Sequence, residues 1–298
     1  MEKALAALAQ VITIKVLHEG ARKIVEIHTG DFRMMKINAT PYADINALLE
    51  QLLSGIQKVL DKKLVGVYLY GSLVTGDFDK EVSDIDLLVA TLSDVDDEEL
   101  AHLHTMHDDF AHKNIQWDGR IEVSYLSVVA LKTYKSHSSK MAVISPGESF
   151  HTKDAGVDWL INWYTVRKKG ITLFGPPPET LIDPISKEEY INAAIEHAKL
   201  WREWIPYRLE HRPSQAYAIL TMCRALYTLE KGEIASKKQA ALWVEQALPE
   251  WSSLTQNALL WRKAWRDKDV DHDATQPEAL RFVNFVIDQC ENYSMSKD

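Results

Sequence analysis

From Pro41 onward the apolar positions Ile45, Leu48, Leu49, Leu52, Leu53, Ile56, Val59 and Leu60 recur at three- and four-residue intervals, which predicts an amphipathic helix with one face in a core. The pattern then switches. Leu64-Val65-Gly66-Val67-Tyr68-Leu69-Tyr70 is β-branched and aromatic without helical spacing and predicts a strand. Further strands are expected near 84–91 and 120–127, separated by helical stretches, which makes an α/β domain. The segment 170–184 contains Gly175-Pro176-Pro177-Pro178 and Asp183-Pro184, residues that break regular structure, and it marks a domain boundary. Beyond it the pattern is helical. Ser186 with Glu189 makes a capping box for a helix reaching about Trp204, Gly232 ends one spanning about 214–230, and others are expected near 236–247, 254–265 and 277–293. Residues before Asn38 read differently, as a short helical start and then 12–17, 24–28 and 32–37 as a small strand meander. The expected organisation is therefore an extension over 1–40 with no assigned role, an α/β domain over 41–178 and an all-α helical-bundle domain over 184–298.

The 298 residues, 46% of them hydrophobic, suffice for two domains. No apolar run approaches the roughly 20 residues that span a bilayer, and the Met1–Ala9 stretch is too short and poorly flanked for a secretory signal, so a monomeric cytoplasmic protein without membrane association is expected. A net charge of −9 and a pI near 5.7 argue against a nucleic-acid surface, which needs clustered Lys and Arg, and are compatible with a small cationic partner. Cys223 and Cys290 sit in no CxxC or Cys/His pattern, which removes disulfide scaffolds and structural zinc. His104, Asp108 and His112 recur every four residues, but neither spacing nor flanks match a zinc motif, and a solvated helix face is expected.

The candidate chemistry lies between the first two strands. Gly71-Ser72 follows the strand 64–70, and Ser83-Asp84-Ile85-Asp86 leads into the apolar run Leu87-Leu88-Val89-Ala90. Alternation along a strand puts Asp84 and Asp86 on one side while Ile85, Leu87 and Val89 point into a core. Two carboxylates so placed can hold Mg²⁺, which keeps waters and shares its shell with substrate phosphates. At the turn, Gly71 lets the backbone approach a phosphate, and the Ser72 hydroxyl can donate to it.

This pattern, a Gly-Ser turn followed about a dozen residues later by Asp-x-Asp, resembles the polymerase-β-like nucleotidyltransferases. More narrowly, residues 41–265 resemble the aminoglycoside adenylyltransferases through Leu69-Tyr-Gly-Ser-Leu, Ser83-Asp-Ile-Asp-Leu-Leu-Val, Leu173-Phe-Gly-Pro, Leu181-Ile-Asp-Pro and Leu220-Thr-Met-Cys-Arg-Ala-Leu-Tyr. The resemblance implies an α/β (α+β) nucleotidyltransferase domain with a mixed sheet, followed by the helical bundle. It implies Mg²⁺ on Asp84 and Asp86, and ATP as co-substrate, with its phosphates held by Gly71, Ser72 and Ser83 and, from the helical domain, by Arg224 and Lys237. Trp265 takes the place of an aromatic residue that lies against adenine.

Glu122, in Arg120-Ile-Glu-Val-Ser-Tyr-Leu, matches the family's general base, the glutamate that deprotonates the acceptor hydroxyl. An alternative for Glu122 is an ion pair with Arg120; for Arg224 it is a buried salt bridge to Glu230 or Glu245. Before the Arg224 helix, Glu210, Ser214 and Tyr217 are candidates for contacting the acceptor, and Glu210 is the one carboxylate of that loop. The activity implied is Mg²⁺-dependent transfer of AMP from ATP to a hydroxyl of a cationic aminoglycoside or aminocyclitol. Transfer of AMP to a protein hydroxyl, or nucleotide binding without catalysis, are the alternatives.

Overall fold

In the computed structural model, residues 12–19, 22–29, 37–209, 211–263 and 271–295 are described. β1 (Ile12–Glu19) and β2 (Arg22–Thr29) form an antiparallel hairpin in which Ile12 faces Thr29. The third strand expected at 32–37 lies outside the described residues apart from Ile37.

Two compact units divide the chain, and the chain passes between them more than once. The first takes residues 1–69, 86–154 and 170–183; the second takes 70–85, 155–169 and 184–298. The last crossing falls at Asp183-Pro184.

The first unit begins with α1 (Ala43–Leu60), whose Ile45, Leu48, Leu49, Leu52, Leu53, Ile56 and Leu60 are buried as the apolar spacing requires. β3 (Leu64–Tyr70), buried at all seven positions, leads to a one-turn helix α2 (Ser72–Thr75), which counts with the second unit. β4 (Ile85–Thr91) is followed by α3 (Asp97–Lys113), opened by a capping box between Asp96 and Glu99. Next come β5 (Ile121–Ser127), α4 (Val128–Thr133), β6 (Ser139–Ser145), β7 (Glu148–Ala155), α5 (Leu160–Lys169), which counts with the second unit, and β8 (Ile171–Phe174). The strands form one mixed sheet in the order β7-β6-β5-β4-β3-β8, with β3–β8 and β5–β6 antiparallel. Central β3, β4 and β5 are buried apolar segments; the more polar β6 and β7 lie outside them on one side, and the short, partly exposed β8 on the other.

The second unit is built mainly from α6 (Lys187–Arg208), α7 (Arg212–Lys231), α8 (Lys237–Ala247), α9 (Ser252–Lys263) and α10 (Gln276–Met295). Ser186 and Glu189 make the capping box ahead of α6, and Gly232 ends α7 in the left-handed conformation. Its core gathers Trp201, Ile219, Met222, Leu254, Phe282 and Val286 among others. Cys223 and Cys290 are buried there as free thiols, and burial pushes both thiol pKa values up, that of Cys290 to about 12. No helix among the described residues is long and apolar enough to cross a membrane.

Candidate active site

The end of β3 and the start of β4 build the first part of the site. Gly71 adopts φ 71° and ψ −144°, a conformation essentially open to glycine alone, and this reverses the chain at the end of the buried strand. Its carbonyl accepts from Val74 N–H (3.3 Å), Thr75 N–H (3.1 Å) and the Thr75 hydroxyl (3.0 Å), so the turn is rigid. Ser72 Oγ is buried there without a hydrogen-bond partner. A buried hydroxyl left without a partner costs roughly 1–3 kcal/mol, so this atom is suited to an incoming acceptor such as a phosphate oxygen.

Burial alternates where Asp84 and Asp86 lie: Ser83, Ile85 and Leu87 are buried, and the two aspartates between them are half-buried. Both are in part accessible to solvent. Among the described residues no three His, Cys, Asp or Glu side chains converge into a complete protein cage for a metal. A pair of carboxylates is a donor set that fits Mg²⁺, because that ion takes much of its shell from water and phosphate oxygens and needs few protein ligands.

Glu122 repeats the arrangement of Asp86. β4 and β5 are neighbours in the sheet, each carries a half-buried acid as its second residue, and the residues around it are buried. Arg120 places its guanidinium 4.4 Å from the centroid of the Trp117 ring, a cation–π contact.

Ser83 is 2% exposed, and its hydroxyl accepts from Asp79 N–H (2.9 Å) and from Arg262 Nη2 (3.1 Å). Arg262 also reaches Asp77 Oδ2 at 3.4 Å, and that carboxylate accepts Lys238 N–H at 3.0 Å in the first turn of α8. Asp77 and Arg262 are absent from the sequence-based candidates. Asp77 sits in an irregular loop and Arg262 near the end of a helix, and their pairing spans 185 residues, so no local pattern announces it. Beside them an open groove of about 490 Å³ is lined by Thr75, Gly76, Asp77, Tyr227, Lys238 and Trp243.

The candidates of the helical region divide by location. Ser214, Tyr217 and Arg224 lie on α7 at offsets of three and seven residues, hence on one face. Tyr217 is half exposed, packs 5.9 Å from the Trp201 ring and takes Lys237 Nζ 5.0 Å from its own ring centroid. Arg224 is half-buried; neither Glu230 nor Glu245 pairs with it, since Glu230 meets Lys231 (3.6 Å) and Glu245 accepts from Gln256. His197 feels it: burial, and then the Arg224 charge, lower the His197 pKa. Glu210 and Trp265 lie outside the described residues.

The His104, Asp108 and His112 face is solvated, with His104 and Asp108 3.6 Å apart and both more than half exposed. His107, one residue away from that face, is buried. Its Nε2 lies 2.7 Å from the Tyr125 hydroxyl, with Phe150 alongside. Burial, and secondarily His104, lower its pKa to about 4.

A Gly-Ser turn, an Asp-x-Asp strand start and a third acid on the neighbouring strand of a mixed sheet define a nucleotidyltransferase. Residues 51–145 match the nucleotidyltransferase domain model, and residues 180–289 match the model of the aminoglycoside adenylyltransferase C-terminal domain. The chain is 25% identical to an aminoglycoside (3'') (9) adenylyltransferase of Escherichia coli over 82% of its own length and 94% of the relative's. A protein of the same name from Shigella flexneri is 26% identical over 70% of the chain and 80% of the relative. The spectinomycin adenyltransferase AAD(9) from Enterococcus faecialis, solved with ATP and spectinomycin, shares the fold at a TM-score of 0.65, with 19% identity over 82% of this chain and 98% of that one. The chain is thus similar to the aminoglycoside adenylyltransferases in both its matched regions, and these matches support an adenylyltransferase enzyme.

Proposed function

We propose that this enzyme transfers AMP from ATP, with Mg²⁺, to a hydroxyl of a small cationic acceptor of the aminoglycoside or aminocyclitol class. The observation that carries the reading is the buried, partnerless Ser72 hydroxyl at the Gly71 turn, followed after a short loop by the half-buried Asp84 and Asp86. The names of the relatives and the ATP and spectinomycin bound to the fold relative support it from outside.

Nucleotidyl transfer needs an activated hydroxyl, a fixed α-phosphate and stabilisation of the departing pyrophosphate. Glu122 takes the proton of the acceptor hydroxyl, a task open to a carboxylate that is half-buried and still in reach of solvent. Gly71 and Ser72 bind phosphate oxygens, and Asp84 and Asp86 are the residues that would hold Mg²⁺, which supplies positive charge against the triphosphate. Arg224 and Lys237 hold the pyrophosphate charge as its bond to the α-phosphorus breaks; a planar guanidinium matches two phosphate oxygens at once. Ser83 braces the segment leading to Asp84 and adds to the phosphate site. Trp265 is assigned to the adenine, and Glu210, Ser214 and Tyr217 to the acceptor. In this reading residues 41–178 carry the chemistry and 184–298 the phosphate and acceptor contacts, in a monomer acting in the cytoplasm.

The test is pyrophosphate release from MgATP in the presence of a panel including spectinomycin and streptomycin, with Asp86→Asn alongside. Acceptor-dependent release by the wild type and its loss in Asp86→Asn are expected. Release without any small acceptor, with AMP appearing on protein, would replace this reading by protein modification.

A further inference from the structure

We infer that Arg262 is a positioning residue for adenylyl transfer: by gripping Asp77 and Ser83 together it fixes the segment carrying Ser72 and Asp84 to the helix start carrying Lys237. The inference rests on the function proposed above and adds to it a residue that does not touch the reacting atoms.

The segment from Gly76 to Asp84 has no regular secondary structure, and it connects the phosphate-binding turn to the first metal-binding aspartate. Its own hydrogen bonds are local. Ser83 N–H returns to Asp79 O (2.8 Å), Asp79 N–H to Ser83 Oγ (2.9 Å) and Glu81 N–H to Asp79 Oδ1 (3.0 Å), which folds the loop upon itself. Two further ties connect it to the helices of its unit. Lys238 N–H donates to Asp77 Oδ2, where a carboxylate also complements the positive end of α8. Arg262, from the last turn of α9, spans the loop's two ends with one guanidinium, Nη1 to Asp77 and Nη2 to Ser83.

This geometry has three consequences. Ser83 is covalently next to Asp84, so the position of the Ser83 hydroxyl sets where the aspartate starts. Lys238 is next to Lys237, so the Asp77 carboxylate also holds the turn from which Lys237 projects. The side chains of Asp77 and Arg262 are only 14% and 18% exposed, which shields the pair from the screening that makes surface ion pairs nearly worthless. A flat fork with two donors can serve both acceptors at once, and a lysine ammonium cannot reproduce that spacing. The contact therefore organises the residues that face the triphosphate.

The experiment compares wild type, Arg262→Gln, Arg262→Lys, Asp77→Asn and the double variant Arg262→Gln/Asp77→Asn in the full chain. It reads MgATP binding by calorimetry at several Mg²⁺ concentrations, the KM for the acceptor, and the unfolding temperature. Arg262→Gln is expected to weaken MgATP binding about tenfold, which corresponds to ~1.4 kcal/mol. It should also raise the Mg²⁺ needed for half-maximal binding and leave the acceptor KM unchanged, with Arg262→Lys intermediate. The double variant should bind MgATP no worse than the poorer single variant, because both remove one device.

Wild-type MgATP binding and Mg²⁺ dependence in Arg262→Gln would overturn the inference. So would a lowered unfolding temperature with unaltered binding by the folded protein, or additive losses in the double variant. Asp86→Asn separates the two levels of the argument. If Asp86→Asn transfers AMP normally, the proposed function itself is wrong; if it is inactive while Arg262→Gln binds MgATP as wild type does, only the role of Arg262 fails.

Discussion

Two regions of this enzyme handle buried polar groups in opposite ways. Behind β5, His107 finds its partner inside the protein, the Tyr125 hydroxyl at 2.7 Å, and aromatic rings close around the pair. At the Gly71 turn and on α7, the Ser72 hydroxyl is buried without a partner, and Arg224 is half-buried with neither predicted carboxylate beside it. A closed pair contributes to stability. An open donor in a comparable environment is a cost to the fold that a ligand can relieve. The comparison separates residues that hold the enzyme together from residues proposed here to hold its substrate, although both kinds interrupt an apolar pattern.

The largest expected effect lies on the substrate side. Glu122→Gln removes the proposed proton acceptor while preserving size, and acceptor-dependent turnover should fall by roughly 10²–10⁴-fold, the usual contribution of a general base, with MgATP binding retained. Stopped assays of pyrophosphate release beside calorimetry check both parts. Unchanged turnover would return Glu122 to a structural role.

The next effect belongs to the closed pair. The folded pKa of His107, about 4, is depressed below the ordinary 6.5, so its stability contribution is complete above about pH 6.5. As pH falls towards 4 the unfolded chain takes up a proton that the folded protein refuses, and roughly 3 kcal/mol is lost progressively over that window. Denaturant unfolding at pH 7 and pH 4.5 should show this loss in the wild type and a smaller one in His107→Leu. Equal losses in both would mean that other groups dominate acid unfolding.

Arg224→Ala and Tyr125→Phe then make a crossed pair of about 1–3 kcal/mol each, the range for a lost charged or buried hydrogen bond. Arg224→Ala should weaken ATP binding by about ten- to a hundredfold and leave the unfolding free energy near that of the wild type. Tyr125→Phe should do the reverse, because it strands the His107 nitrogen and touches no ligand. A variant that moved both quantities would blur the distinction drawn here. Ser72→Ala is expected to be the mildest: a few-fold loss in ATP affinity, with stability unchanged or slightly raised because the orphaned hydroxyl is gone.

Much of this arrangement is legible in the sequence because it is local. The apolar runs behind β3, β4 and β5, the Ser186–Glu189 capping box and the Gly232 stop are each encoded within a few residues, and the helix over 214–230 appears as Arg212–Lys231. The partial exposure of Asp86 between buried Ile85 and Leu87 is readable for the same reason, since alternation along one strand decides which residues are buried. By contrast, β6 and β7 escape the pattern: Ser139–Ser145 has one short apolar stretch, and Glu148–Ala155 alternates charged and polar residues away from the sheet centre. Arg262 escapes because its meaning depends on Asp77 and Ser83, some 180 residues earlier, and a lone arginine on an amphipathic helix looks like a solvated one.

Thermal unfolding of the wild-type protein with and without MgATP tests most directly whether the open donors await a triphosphate. A ligand that binds only the folded state stabilises it by about 2.7 kcal/mol at a hundred times its dissociation constant, so a clear rise in the unfolding temperature is expected with MgATP. The rise should shrink in Arg224→Ala and persist in Tyr125→Phe. An unfolding temperature that ignores millimolar MgATP, or a rise of equal size in Arg224→Ala, would contradict the account.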